Sequence, residues 1–365
     1  MDPVRLITRA RNGARRLIAP LYWRGSDGHG SVESLHHRTS QPFLEAPLED
    51  LPPPIAERFR ASNAIQQDEY IHRLRGPAMI DPGSGFVVLP GRRVLSPSLP
   101  YAYQGGRPSI SRALNARFSP SSCLRYDRVI SLRDVHETNY YHFFNDVLTR
   151  IPLLRAHGLL HAPLLVGQDL WRQPFFQELL PGLRAKGLAF VDQGDRTVIA
   201  DEIVYCKSMP HDKRHLLDVL DLIDAPAVPE DLERKIFLTR APGAKGKRWL
   251  ANAAEVEALM RAHGFEVFDA GRSTVREQMA TLAATRWLVA IHGAAITNML
   301  FRKDVPMSVL ELFPQESAPP HYYWFAALFG HRYTALAGSS TSAAGFFSLP
   351  VNELAIAMRQ LVTGA

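Results

Sequence analysis

One stretch constrains the fold more than any other: Trp287 to Pro314, WLVAIHGAAITNMLFRKDVPMSVLELFP. Trp287-Leu288-Val289-Ala290-Ile291 is an apolar run of the length expected for a parallel strand buried on both faces. His292-Gly293-Ala294-Ala295 follows at once, and its small side chains let a backbone or a ligand come close. Ile296 to Phe301 predicts a helix, Asp304 and Pro306 end it, and Ser308 to Phe313 predicts the next strand. A helix that begins just after a parallel strand presents free N–H groups and the positive end of its dipole. It does so at the carboxyl edge of the sheet, where open α/β folds bind ligands. That suits a phosphate. The same pattern also serves plain packing, and this stretch alone leaves both readings open.

The segments before it repeat the theme. Lys235 to Thr239 predicts a strand, followed by Arg240 and a Gly- and Lys-rich loop to Arg248. Asn252 with Glu255 has capping-box spacing for a helix that Gly264 ends, and Phe265 to Phe268 predicts a strand. Thr274 with Glu277 is a second capping box, for a helix with Val275, Met279 and Leu282 on one face. The alternation predicts a Rossmann-like parallel sheet. Upstream, Ala225-Pro226-Ala227-Val228-Pro229-Glu230 reads as a linker, because its prolines break helix and strand alike. The expected organisation is an irregular basic segment over 1–63, a first domain over 64–225, a second over 226–349 and a terminal helix over 350–365. That helix, Asn352 to Val362, is expected to cross back to the first domain.

The first half is less regular. Strands are expected at Gly85–Pro90, Arg128–Leu132, Leu164–Val166, Leu188–Val191 and Glu202–Cys206, with helices over Gln173–Leu180 and Arg214–Ile223. After the Arg128 strand comes Asn139-Tyr140-Tyr141-His142-Phe143-Phe144-Asn145-Asp146. As an α-helix this puts Asn139, His142, Asp146 and Thr149 nearly on one line among apolar neighbours. A polar stripe on an apolar helix needs partners or a polar cleft. The plain alternative is a capping Asn, a hydrogen-bonded His and a surface Asp.

Charge and composition narrow the classes. The net charge of +6 allows an anionic substrate, an anionic membrane or nucleic acid; no basic-aromatic module is present, so nucleic acid ranks last. No run of apolar residues is long enough to span a bilayer. Arg5, Arg9, Arg11, Arg15 and Arg16 interleave with Leu6, Ile7, Leu17, Ile18 and Trp23, either a peripheral helix on anionic lipid or a solvated tail. Cys123 and Cys206 make neither a disulfide framework nor a metal spacing. The dinucleotide fingerprint G-x-G-x-x-G, the P-loop, H-E-x-x-H and G-x-S-x-G are all missing, and the histidines show no convincing zinc spacing.

In a parallel sheet, Arg240, the His292-Gly293-Ala294 turn and Glu311 would face one crevice. An Arg fork and helix N–H groups suit a pyrophosphate, and a carboxylate at a strand end can hold ribose hydroxyls. Together they describe a nucleotide-diphosphate site that needs no metal. Lys245, Lys247 and Arg248 read as solvated charges rather than as phosphate ligands.

Four motifs in order now carry a family resemblance: Asn139-x-x-His142-x-x-x-Asp146, Ile236-Phe-Leu-Thr-Arg240, His292-Gly-Ala-Ala-Ile-Thr-Asn298, and Val309-Leu-Glu311-Leu-Phe-Pro314. They resemble glycosyltransferase family 61 over residues 128–314. Thr239 stands where the family has Ser, and Ala295 where its turn has a second Gly. The resemblance implies an α/β chain of GT-B architecture, two Rossmann-like domains with parallel sheets facing an interdomain cleft. It implies a metal-independent, inverting hexosyl- or pentosyltransferase without a cofactor, taking a nucleotide sugar and a glycan or lipid-linked acceptor. The second domain would hold the donor through Arg240, His292, Gly293, Ala294, Asn298 and Glu311. His142 would be the base, with Asp146 as its orienter or replacement, and Asn139 would position a sugar hydroxyl. Closure of the cleft would exclude water. A bacterial, cytoplasmic protein at the inner membrane face is expected, working in capsule, lipopolysaccharide or exopolysaccharide assembly. The alternatives are a nucleotide-sugar epimerase or hydrolase of the same architecture, and a non-catalytic nucleotide-sugar or glycan-binding partner.

Overall fold

The computed structural model describes residues 32–40, 48–49, 51–83, 85–89, 93–95, 123–230, 233–240, 248–341 and 345–363. The basic segment 5–23, the expected long loop 96–122, and Lys245 and Lys247 lie outside the described residues.

The chain builds two sheets. The first holds β1 (Val32–Thr39), β2 (Asp68–Ile80), β3 (Val87–Leu89), β4 (Arg93–Val94), β5 (Cys123–Ser131), β6 (Leu164–Val166), β7 (Phe190–Asp192) and β8 (Thr197–Lys207). Its order is β4-β3-β2-β8-β5-β6-β7, with β1 on β2. Only β8, β5, β6 and β7 run parallel. The expectation of a wholly parallel first sheet is therefore corrected. β2 runs antiparallel to β8 from Tyr70–Lys207 to Ile80–Val198, and it turns straight back into β3. Direct turns of this kind give only antiparallel neighbours; the parallel strands are those separated by helices.

The second sheet contains the four strands expected from the sequence and three that were not, and its Arg332–Ser340 and Phe346–Ser348 strands pair antiparallel, so it too is not wholly parallel. It holds β9 (Arg234–Leu238), β10 (Trp249–Leu250), β11 (Glu266–Phe268), β12 (Thr285–Ile291), β13 (Ser308–Pro314), β14 (Arg332–Ser340) and β15 (Phe346–Ser348). The order is β10-β15-β14-β13-β12-β9-β11, and β14 through β11 are all parallel. The Thr274–Glu277 capping box forms, with Thr274 N–H donating to Glu277 and Glu277 N–H to Thr274 Oγ1. Asn252 does not cap its helix. Its amide instead donates to Leu349 O at 3.0 Å, fastening the chain that enters the last helix.

Two terminal helices correct the expected organisation. Pro53–Asn63, read as irregular, is a helix with Pro at its start, and it packs on the second half. Phe59 lies among Phe313, Tyr323 and Tyr333, and Trp324 Nε1 donates to Asn63 Oδ1 at 2.7 Å. The last helix, Val351–Thr363, stays on the second sheet with Leu354, Met358 and Leu361 beside Val289 and Leu310. So it is the early helix, not the last, that crosses between halves. Burial pushes the Cys206 thiol up to about 12. Among the described residues no helix is long and apolar enough to cross a membrane.

Candidate functional site

The site lies where the two halves meet, and its first-half wall is residues 140–156. Asn139 caps this stretch, accepting from Tyr141 N–H at 2.9 Å. From Phe143 to Leu148 the helix widens into a π-helix. The wider turn breaks the expected straight line: Thr149 is rotated inward, fully buried, and bonds Asn145 O and Ser208 Oγ at 2.6 Å each. His142 and Asp146 remain together on the outer face, each about a quarter exposed, with His142 Nδ1 2.6 Å from Asp146 Oδ2. A carboxylate on Nδ1 fixes the tautomer and leaves Nε2 as the basic nitrogen. Asn145 holds the other side of the carboxylate, donating to Asp146 Oδ1 at 2.8 Å.

The second wall is the β12 turn. His292 is buried, and its Nδ1 is in a short hydrogen bond with Glu311 Oε1. Tyr333 Oη donates to Glu311 Oε2 at 2.6 Å. Glu311 sits mid-strand between Ala290 and Ala335, with no exposed surface. Its carboxyl therefore grips the His292 ring instead of standing open for ribose hydroxyls, a correction to the sequence expectation. Burial pushes Glu311 well above the carboxylate range and His292 well below its ordinary value, the latter helped by Arg248 and Arg240. Both directions describe one uncharged pair.

Arg240 leaves β9 and donates from Nη1 to His292 O at 3.3 Å. Gly293 permits this approach: a Cβ there would lie 2.5 Å from that nitrogen. Arg240 Nε is buried without a hydrogen-bond partner among the described residues. Arg248, expected to be solvated, is half-buried, and its charge acts on Arg240, His292 and Glu311. Burial lowers both guanidinium pKa values, and neither has an ion pair among the described residues. Two half-buried cations beside an uncharged pair make a place for an anion. Ala294 opens the helix after the turn, which runs as a 3-10 helix from Ala294 to Arg302. Asn298, expected to bind substrate, is fully buried: it donates to Gln278 Oε1 at 2.8 Å and Ala295 O at 3.0 Å, and accepts from Tyr140 Oη at 2.7 Å. It fastens the halves together.

The walls meet through residues that sequence reasoning missed. His321 opens the helix His321–Phe329, and its ring centroid lies 6.4 Å from that of His142. His211 reaches Tyr141 Oη at 2.6 Å. His321 lies beyond the last strand read from the sequence, in a stretch with no motif; His211 follows a strand end and carried no motif either.

Residues 140–308 match the family Glycosyltransferase 61. No curated protein matches the chain.

Proposed function

From a chain whose residues 140–308 place it among the family 61 glycosyltransferases, we propose an inverting transfer of a sugar from a nucleotide-sugar donor to an acceptor hydroxyl, without a metal. The observation that carries this is the meeting of two chemistries. Arg240 and Arg248 have no ion pair among the described residues and stand beside the His292–Ala294 turn, while the His142–Asp146 pair lies in the other half, with His321 near both.

In this reading residues 226–349 hold the donor and 64–225 the acceptor, in a GT-B-like arrangement. Arg240, Arg248 and the N–H groups at Ala294 take the diphosphate. His142 Nε2 takes the acceptor hydroxyl proton as the oxygen attacks the anomeric carbon. The bond from that carbon to the phosphate oxygen breaks on the opposite face, and its electron pair leaves with the diphosphate, whose charge the two arginines receive. Asp146 holds the imidazole and stabilises its cation. His292 and Glu311 shape the turn, and Asn139 rims the acceptor side. The resemblance further suggests a glycan or lipid-linked acceptor in surface polysaccharide assembly.

The test is thermal unfolding with UDP, GDP, CMP and dTDP in EDTA, on the wild type, Arg240→Ala and His142→Ala. A nucleotide at about 100 times its dissociation constant adds about 2.7 kcal/mol. We expect one nucleotide class to stabilise the wild type and His142→Ala, but not Arg240→Ala. With the matching nucleotide sugar, His142→Ala should lose about a hundredfold or more in turnover. No stabilisation by any nucleotide would overturn the reading; turnover of the donor that needs no acceptor would move it to a hydrolase.

A further inference from the structure

His321 takes no part in the reaction as written above, yet its placement is specific. It belongs to the second half, but its ring packs against the first: the centroid lies 4.6 Å from that of Tyr141. Tyr141 Oη is 3.3 Å from His321 Nδ1 and 2.6 Å from His211 Nε2, so one phenol links two imidazoles. Whichever imidazole receives the phenol proton, His321 spends Nδ1 on this link, and Nε2 is the nitrogen left for another partner.

The link is held from behind. His211 has a φ of 56°, a left-handed conformation unfavourable for a residue with a Cβ. Its N–H donates to Asn145 Oδ1 at 3.0 Å, and the same Asn145 holds Asp146. So the strained turn, the base pair and the His321 ring are fastened into one unit, and such strain persists where the surroundings enforce it.

Toward the turn, the Tyr322 ring lies 6.5 Å from that of His321 and 5.4 Å from that of His292, and the Arg248 charge reaches His321 as well. The His321 ring thus neighbours the base, 6.4 Å from that of His142, and is one ring removed from the His292 turn. Burial foremost pushes His321 down to about 3, so it is uncharged near neutral pH.

A sugar in transfer must lie between the phosphate it leaves and the base that activates its acceptor, because the new bond forms opposite the one that breaks. We infer that His321 binds the transferred sugar, its Nε2 hydrogen-bonding a hydroxyl of that sugar. This rests on the glycosyltransferase reading. The division of labour is chemical: the arginines answer the diphosphate charge, and an uncharged ring suits a neutral hydroxyl. His321 exchanges no proton in the step.

The test is calorimetric titration of the full chain with UDP, GDP and dTDP, each paired with its sugar conjugate: UDP-glucose and UDP-N-acetylglucosamine, GDP-mannose, and dTDP-glucose. Wild type, His321→Ala and His321→Gln are compared on the conjugate that binds the wild type best. The loss of one hydrogen bond to a neutral group should weaken the conjugate about tenfold in His321→Ala. The bare diphosphate should hold its affinity within about twofold, and His321→Gln should recover part of the loss. Equal weakening of conjugate and bare diphosphate, or weakening of neither, overturns the inference and leaves the donor site standing. If Ala lowers the unfolding temperature, the Gln variant decides by the same comparison. Binding of no nucleotide by the wild type overturns the glycosyltransferase reading and this inference with it.

Discussion

The His292–Glu311 pair shows what a buried side chain can be asked to do. A carboxyl raised well above its ordinary 4.5 keeps its proton in the folded chain while the unfolded chain releases it. Folded Glu311 then binds more protons, so stability falls as pH rises past about 4.5. His292 acts from the other side: lowered well below 6.5, it stays neutral in the fold while the unfolded imidazole charges below that value. Gln is nearly isosteric with a protonated Glu; its amide can donate to His292 Nδ1 and its oxygen accept from Tyr333. Glu311→Gln should therefore be at least as stable as the wild type at about pH 8, the difference shrinking toward about pH 5. Glu311→Ala strands two buried groups and should cost about 2 to 4 kcal/mol. Urea unfolding at several pH values checks both, and a Gln variant as unstable as the Ala variant would mean that the native carboxyl is charged. The inward role of Glu311 was not legible in the sequence. In a strand buried on both faces, residues of both parities are apolar, so alternation says nothing about which way a Glu points. His142 with Asp146 was legible, because one helical turn of separation survives even the π-helix.

At the scale of elements, legibility tracked local punctuation. Residues 235–313, with capping residues, helix-ending Gly and short apolar strands, could be laid out in order, whereas the helix His321–Phe329 and strands β10, β14 and β15 were not read. In the first half the expected strands and helices from residue 85 to 223 are present, but β1 and β2 were not read: β2 carries Asp68, Glu69, Arg73 and Arg75 and an internal Gly76-Pro77, features that argue against a strand by composition. Glu69 is there for tertiary reasons, bonded to His36, Arg38, His215 and the Met209 N–H. Tertiary reasons also govern one helix start. Val275 and Arg276 N–H both donate to Glu178, at 2.7 and 3.0 Å, from the first-half helix Pro174–Ala185. A carboxylate on two free N–H groups at the positive end of a helix is a charge-assisted cap. Glu178→Ala should cost about 1 to 2 kcal/mol, even though Thr274 and Glu277 already form a capping box. A denaturant midpoint unchanged from the wild type would show the contact to be idle, and loss of the capping box in Thr274→Ala should add to the effect.

For the whole molecule the question is whether the halves move. The Pro- and Ala-rich stretch 225–230 marks a chain boundary, and cleft closure was the expectation drawn from two domains. The packing argues against a free hinge. One connected core contains Phe143, Phe144, Leu148 and Leu216 from the first half, and Leu238, Leu288, Met299, Phe301 and Phe325 from the second. Phe144 meets Phe301 edge to face at 6.0 Å, and Tyr141 lies 5.6 Å from Phe325. The Tyr140–Asn298 bond and the Pro53–Asn63 helix tie the same halves at two further places. Opening a hinge would expose fully buried aromatic side chains, each worth about 1.5 to 3 kcal/mol in its burial, so an open state would be scarcely populated. It follows that the chain should unfold in one transition, with tryptophan fluorescence and far-ultraviolet dichroism giving the same midpoint. A fragment of residues 226–363 would present Leu238, Leu288, Met299, Phe301 and Phe325 to water and should fail to fold cooperatively by itself. Two separated transitions, or a stable isolated fragment, would restore independent domains and with them a closing hinge.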